Sequence, residues 1–178
     1  LPKIIQLTTP IAFFVSILNK VPSQKMFDNS YPYRSSMSKT MTDSFKKLSK
    51  KIIKNYKPKL ILEIGSNDGS LIKNFNKKNV ICVEPCKNLA IITKNKGFKT
   101  YDDYWDIKLA KTIKSTYQKV DLIYSANTLS HIANLDSVFK SISYILSEDG
   151  ILLIEDPSLL ECLKRVAYDQ FYNEYFYV

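Results

Sequence analysis

The run Lys59-Leu-Ile-Leu-Glu-Ile-Gly-Ser-Asn-Asp-Gly-Ser70, followed by Val80-Ile-Cys-Val-Glu84, constrains this chain more than any other feature. Leu60 to Ile64 reads as a buried parallel strand, Gly65 and Gly69 allow a tight turn with close backbone approach, and Leu71 to Phe75 starts a helix. The second strand ends on Glu84, whose carboxylate can accept both hydroxyls of a ribose; followed by Pro85, it can instead cap the next helix. The pattern is the nucleoside-binding first half of a Rossmann-type sheet. It departs from the dinucleotide fingerprint in two places: Asn67 stands at the middle glycine position, and the acidic Glu63 precedes the turn. A diphosphate on the helix N-terminus would be repelled by Glu63 and Asp68, whereas a sulfonium with an amino-acid tail would be attracted. The expected cofactor is therefore S-adenosylmethionine rather than NAD, held around Glu63, Gly65, Asn67, Gly69 and Glu84.

From Lys59 onward, short apolar runs alternate with helical patterns. Strands are expected near 60–64, 80–84, 98–101, 120–125 and 150–155, the signature of an α/β, doubly wound parallel sheet. Leu135 to Leu146 carries apolar residues at 135, 138, 139, 142, 145 and 146, one face of a helix, and an Asp149-Gly150 turn leads into the strand Ile151 to Glu155. Residues 1–40 differ in character. They hold Pro2, Pro10, Pro22 and Pro32 and the aromatic turn Tyr31-Pro-Tyr33 without a sustained helical period, and read as an irregular N-terminal arm or the remnant of a small domain. Residues 41–178 form the main domain. Thr42 or Asp43 is the expected cap of a helix running to Tyr56, with Phe45, Leu48, Ile52 and Ile53 facing inward. The chain starts at Leu1 and stops in the aromatic run Phe171 to Val178, so both ends are expected to be cut from something longer.

The formal charge of +9 invites a nucleic-acid reading, but the excess is nearly all lysine, with arginine only at 34 and 165. Arginine is the better tool for bidentate recognition of phosphate and bases, so a solvated basic surface is the expected explanation, with no nucleic-acid partner. Cys82, Cys86 and Cys162 have no paired spacing, which argues against a disulfide framework and fits a reducing cytoplasm. The apolar stretch Ile11 to Leu18 is too short to cross a bilayer and reads as a buried strand; no membrane partner is expected.

Open sheets of this kind bind ligands at the carboxyl ends of their strands, near the switch in strand order. Glu63 to Gly69, Glu84, Ala126-Asn127 and Glu155-Asp156-Pro157 all fall on that edge, which adds Asn127 to the cofactor candidates. Asp102, Asp103 and Trp105 follow the third strand, where an adenine would lie: an acidic side chain can bond the exocyclic amine while an aromatic covers the ring. A solvated turn beside a core tryptophan explains the same residues equally well. His131, the only histidine, stands just past the fourth strand, where it is a pocket residue and a candidate base.

Taken with Leu62-Glu-Ile-Gly-Ser-Asn-Asp-Gly69, Val83-Glu-Pro85 and Leu129-Ser-His-Ile132, the segment from Glu155-Asp-Pro-Ser to Phe171-Tyr-Asn-Glu-Tyr175 resembles the class I methyltransferases that C-methylate nucleotide-linked keto-deoxysugars. The resemblance covers roughly residues 20–178. It implies a Rossmann-like class I methyltransferase sheet, S-adenosyl-L-methionine as cofactor, a nucleotide-sugar substrate, an N-terminal zinc-binding domain and a C-terminal domain that helps hold the substrate. Two departures stand out. Thr9-Pro-Ile-Ala12 takes the place of the family's second zinc-binding Cys-x-x-Cys and cannot bind a metal, so the zinc domain is expected to be absent or degenerate and no metal is expected. The family's Tyr, polar residue, Glu and His near the end of the segment correspond to Tyr172, Asn173, Glu174 and Tyr175, so a tyrosine stands where the family has its general base.

Carbon methylation needs a base to form an enolate, support for the oxyanion and a methyl donor in line with the carbon. A phenol is a poor base near neutrality, so Tyr175 is read as a donor to the enolate oxygen while Glu174, Tyr172 or His131 takes the proton, or as a packing residue against a missing domain. Two other readings remain open: an O- or N-methyltransferase of a small molecule, and a non-catalytic module that binds S-adenosylmethionine. Nothing in the sequence speaks to the oligomeric state.

Overall fold

The computed structural model describes residues 4–8, 13–17, 21–167 and 176–177. The elements run β1 (Ile4–Thr8), β2 (Phe13–Ile17), α1 (Ser23–Met26), α2 (Lys39–Tyr56), β3 (Ile61–Ile64), β4 (Val80–Val83), α3 (Lys87–Asn95), β5 (Lys99–Tyr101), α4 (Ile107–Tyr117), β6 (Val120–Ala126), α5 (Leu135–Ile145), β7 (Leu146–Glu155), α6 (Leu159–Lys164) and β8 (Phe176–Tyr177). Five strands form one sheet in the order β5-β4-β3-β6-β7, every neighbouring pair parallel. Parallel strands need crossovers that cover both faces, which is why β3 and β4 are buried at every position. Leu62, Ile64, Ile81, Val83 and Ile123 pack on one face with Leu109 and Ile113 of α4 and Val138, Ile142 and Ile145 of α5. On the other face Ile61, Leu122 and Tyr124 meet Phe45 and Ile52 of α2. Strand alternation sends Glu63 to that second face, a position that packing would give to a hydrocarbon.

Four expectations are corrected. The helix expected from Leu71 is a single 3-10 turn, Ile72–Asn74, followed by another at Lys77–Asn79. The Asn74 side-chain amide donates to the carbonyls of Ser70 and Leu71 and so competes with a growing helix; Asn76 caps the next turn by accepting from the Lys78 N–H. With so short a turn, a helix dipole contributes little at Gly65–Gly69, and the acidic side chains carry the electrostatic argument alone. Helix α2 is capped by Ser38, which accepts from the Met41 N–H, rather than by Thr42 or Asp43; the Thr42 hydroxyl bonds back to the Lys39 carbonyl. Ile53, expected inside, is 48% exposed, because the 3.6-residue period carries it past the edge of the Phe45–Ile52 stripe. Finally, Asp149-Gly150 lies within β7 rather than before it. The register jumps from Val120 opposite Leu146 to Leu122 opposite Ile151, so these residues form an irregularity that lengthens the edge strand.

Part of the segment read as an irregular arm is paired. β1 and β2 form an antiparallel ladder from Ile4 opposite Ile17 to Thr8 opposite Phe13, and β8 adds to β2 with Val15 opposite Tyr177. A pairing partner as far along the chain as β8 is invisible to a search for local periodicity.

A cavity at the switch point

Strands β3 and β6 are neighbours whose chains leave in opposite directions, so a crevice opens beyond Ile64 and Ala126. A cavity of ≈ 200 Å³ occupies it. Its lining includes Glu63, Gly65, Asn67, Glu84, Asn127 and His131, which the topology gathers from three separate stretches of the chain.

The turn after β3 is locked. The Gly65 and Ser66 N–H groups both donate to the Val83 carbonyl, at 2.8 and 3.1 Å, and Gly65, Asn67 and Gly69 have φ of 74°, 49° and 81°. Asparagine tolerates the left-handed region better than other side-chain-bearing residues, so Asn67 can stand where the fingerprint has glycine. Gly65 cannot be replaced in that way: a Cβ there would collide with the Oγ1 of Thr128 and lie 2.8 Å from its Cγ2. Asn127 is also left-handed, with φ 47°, and its N–H donates to the Glu155 carbonyl at 2.7 Å.

Two carboxylates sit in the floor. Glu84 is buried; its Oε2 accepts from the Asn67 N–H at 2.7 Å and its Oε1 from the Cys86 N–H at 2.9 Å, so it both caps the next segment and fastens the turn. Each oxygen keeps a lone pair for a ligand hydroxyl. Burial raises its pKa against the lowering effect of those two N–H groups. Glu63 is 3% exposed and its Oε2 makes no hydrogen bond among the described residues. Burial, followed by the nearby Glu84 and Asp68 carboxylates, holds its pKa well above the ordinary value. An unpaired acid in an acidic pocket is the fit expected for a cationic ligand.

Aromatic residues line the cavity as well. Tyr104 and Trp105 come from the loop after β5, and Phe27, Tyr31 and Tyr33 from the segment before α2. Trp105 doubles as a core residue, and its Nε1 has no partner among the described residues. Asp102 is not in the lining: it pairs with Lys94 at 2.8 Å on the surface. Of the two explanations for Asp102, the solvated turn matches its position, while the tryptophan beside it does reach the cavity. His131 lies with its ring centroid 5.5 Å from that of Phe27. Tyr172, Glu174 and Tyr175 lie outside the described residues; β8, just beyond them, runs beside the turn of residues 129–131.

Cys86 lines the cavity and Cys82 lies beneath it, both free. Burial pushes the Cys82 thiol up to about 12 and that of Cys86 higher still, where Glu84 adds to the effect. Neither is a nucleophile near neutrality. Sequence reasoning missed Phe27, Tyr33 and Thr128 as lining residues. Tyr31-Pro-Tyr33 was visible as an aromatic turn, but nothing local ties it to a strand end thirty residues away.

A doubly wound parallel sheet with an acidic floor at its switch point defines a nucleoside-cofactor fold suited to a cation. Residues 33–176 match the family described as a methyltransferase domain, and the chain belongs to that family: it is a class I, S-adenosylmethionine-dependent methyltransferase domain. Over 119 residues it is 29% identical to the C-methyltransferase NovU of Streptomyces niveus, covering 66% of this chain and 28% of that protein. The chain therefore spans less than a third of the length of that relative. Among solved structures, a SAM-dependent methyltransferase from Archaeoglobus fulgidus superposes with a TM-score of 0.57 at 15% identity, covering 75% of this chain and 61% of that one. The plantazolicin methyltransferase BpumL, solved with a pentazolic desmethylPZN analog and SAH, gives 0.60 at 14% identity, over 86% and 63% of the two chains. These two likenesses concern the fold. No helix among the described residues is long and apolar enough to cross a membrane.

Proposed function

We propose that this chain carries the methyl-donor half of a C-methyltransferase acting on a nucleotide-linked keto-deoxysugar. The observation that carries the reading is the match to a relative named as a C-methyltransferase, together with the sugar-methyltransferase motifs at Leu62–Gly69, Leu129–Ile132 and Glu155–Tyr175. The residues of the cavity fit the cofactor. Glu63 would face its cationic end, Glu84 its ribose hydroxyls, and Gly65 and Gly69 would let the backbone approach; Trp105 and Tyr104 offer flat surfaces for its base. Asn67 and Asn127 shape the two turns that flank it. When bound, S-adenosylmethionine supplies an electrophilic methyl group on a sulfonium.

The chain's own part in the chemistry is to remove a proton beside the keto group and steady the resulting enolate until its carbon bonds to the methyl. Glu174, Tyr172 or His131, the last of which lines the cavity, is the candidate base for the first task, with Tyr175 as a donor to the enolate oxygen. Incubation of full-length protein with labelled S-adenosylmethionine and a nucleotide-linked keto-deoxysugar is expected to give a product methylated on carbon. Exchange of the proton beside the keto group in deuterated water is expected to persist when the donor is replaced by S-adenosylhomocysteine. A methyl group found on oxygen or nitrogen would replace this reading with an O- or N-methyltransferase. Cofactor binding with neither exchange nor transfer would leave a binding module.

Glu84 gives a second test. Glu84→Ala removes the acceptor for two ribose hydroxyls and for the Asn67 and Cys86 N–H groups, and is expected to weaken S-adenosylmethionine by about 1–3 kcal/mol in calorimetry. Unchanged affinity would remove Glu84 from the cofactor site.

A further inference from the structure

Asn67 does more than tolerate a strained turn. Its Oδ1 accepts from the Ser35 N–H at 2.9 Å and its Nδ2 donates to the Tyr33 carbonyl at 3.2 Å. Beside it, the Asp68 carboxylate accepts from the Ser36 N–H at 3.3 Å. Farther along the same segment, Asn88 Nδ2 donates to the Tyr31 carbonyl at 2.9 Å and the Tyr104 hydroxyl to the Phe27 carbonyl at 2.8 Å. Residues 27–36 are thus a strap whose backbone is fastened by side chains from the turn after β3, from α3 and from the loop after β5. The strap carries Phe27, Tyr31, Tyr33 and Ser35 into the lining of the cavity. Its position therefore sets the shape of the space that a methyl acceptor would share with the cofactor.

One residue touches both sides. The backbone N–H of Asn67 bonds to Glu84, while its side chain holds the strap. A glycine at this position, as in the dinucleotide fingerprint, would accept the same φ and keep the first contact but lose the other two. We infer that Asn67 is a positioning residue that couples occupation of the cofactor site to the placement of the strap, so that cofactor binding orders the wall against which the acceptor then binds. The inference rests on the cofactor site proposed above and is independent of which acceptor is methylated.

Hydrogen exchange tests it on the full chain with S-adenosylhomocysteine as probe. In the wild type, the probe is expected to slow exchange of the Ser35 and Ser36 amides by about tenfold or more, a coupling in the usual range for linked sites. Asn67→Gly keeps the left-handed backbone, and the probe is supplied to each protein at a concentration that calorimetry shows to saturate it, so that a change in its affinity does not enter the comparison. The strap amides of this variant are expected to exchange about tenfold faster than wild type, as loss of hydrogen bonds worth roughly 1 kcal/mol each predicts, and to gain no protection from the probe. Equal protection of the strap by the probe in both proteins overturns the inference, as does a wild-type strap that ignores a bound probe. Loss of protection throughout the Asn67→Gly protein, beyond residues 27–36, makes Asn67 a folding residue and also overturns it. Failure of the probe to bind wild type would overturn the cofactor assignment as well, and is distinguished from the other outcomes by calorimetry.

Discussion

Glu63→Gln is expected to make the ligand-free protein more stable at neutral pH while weakening its hold on S-adenosylmethionine. The two effects have one cause. Glu63 occupies a buried strand position with Glu84 and Asp68 nearby and no hydrogen bond to its Oε2 among the described residues. Its pKa is raised in the folded protein, so the folded state holds a proton that the unfolded chain gives up above its ordinary value of 4.5. The stability linked to that proton is complete below the unfolded pKa and is lost as pH rises toward the folded one. A glutamine cannot ionise and presents an N–H donor to its carboxylate neighbours. The gain at pH 7 should be roughly 1–3 kcal/mol, the scale of an unsatisfied buried group. It should shrink as the pH falls and vanish only below 4.5, where wild-type Glu63 is protonated in both states. Cofactor affinity should fall by about ten- to a hundredfold, because a charge-assisted contact to a cation is replaced by a neutral one. Thermal melts across pH 4.5 to 8 and calorimetry at pH 7 read the two sides. A variant that melts lower than wild type at pH 7, or binds the cofactor equally well, would count against the assignment of Glu63 as the cation's partner.

The second large effect is expected at Gly65. An alanine there must adopt φ near 74°, at about 1–2 kcal/mol for a residue with a Cβ. It must also displace Thr128, whose Oγ1 and Cγ2 crowd the new atom, for roughly another 1–3 kcal/mol. The turn cannot yield, since the Gly65 N–H is tied to the Val83 carbonyl at 2.8 Å, and Thr128 is itself tied by its hydroxyl to the Ala126 carbonyl. Gly65→Ala should therefore lower the melting temperature by several degrees, roughly 2–4 °C for each kcal/mol in a chain of this size, and cofactor binding should drop below detection as the turn distorts. Adding Thr128→Ala removes the Oγ1 and Cγ2 and should restore the larger part of the crowding cost, its Cβ staying 3.0 Å from the new atom, while leaving the part due to the backbone. A double variant no better than Gly65→Ala alone would show that the backbone conformation carries the whole cost.

Some of this was legible in the residues. Leu60 to Ile64 and Val80 to Val83 are runs apolar enough to need cover on both faces, and glycines at 65 and 69 with a carboxylate at 84 mark a nucleoside site wherever they follow such strands. The alternation of strands and helices, the cofactor and the burial of α5 along Val138, Ile142 and Ile145 follow from those local patterns. Local patterns failed where side chains compete with the backbone, as Asn74 does by ending a helix at one turn.

Three properties were decided only by the tertiary structure, because each depends on contacts that exist only once the chain is folded. Asp102 lies outside the cavity lining and pairs on the surface with Lys94 of α3. Asn67, chosen from sequence as part of the cofactor turn, spends its side chain on Tyr33 and Ser35 across 32 to 34 residues of chain. The acidity of Glu63 can be read as a charge in sequence, but its raised pKa exists only where the fold removes water and brings Glu84 and Asp68 beside it. Residue type determines which groups are available; desolvation and distance, which no linear pattern contains, determine what they do.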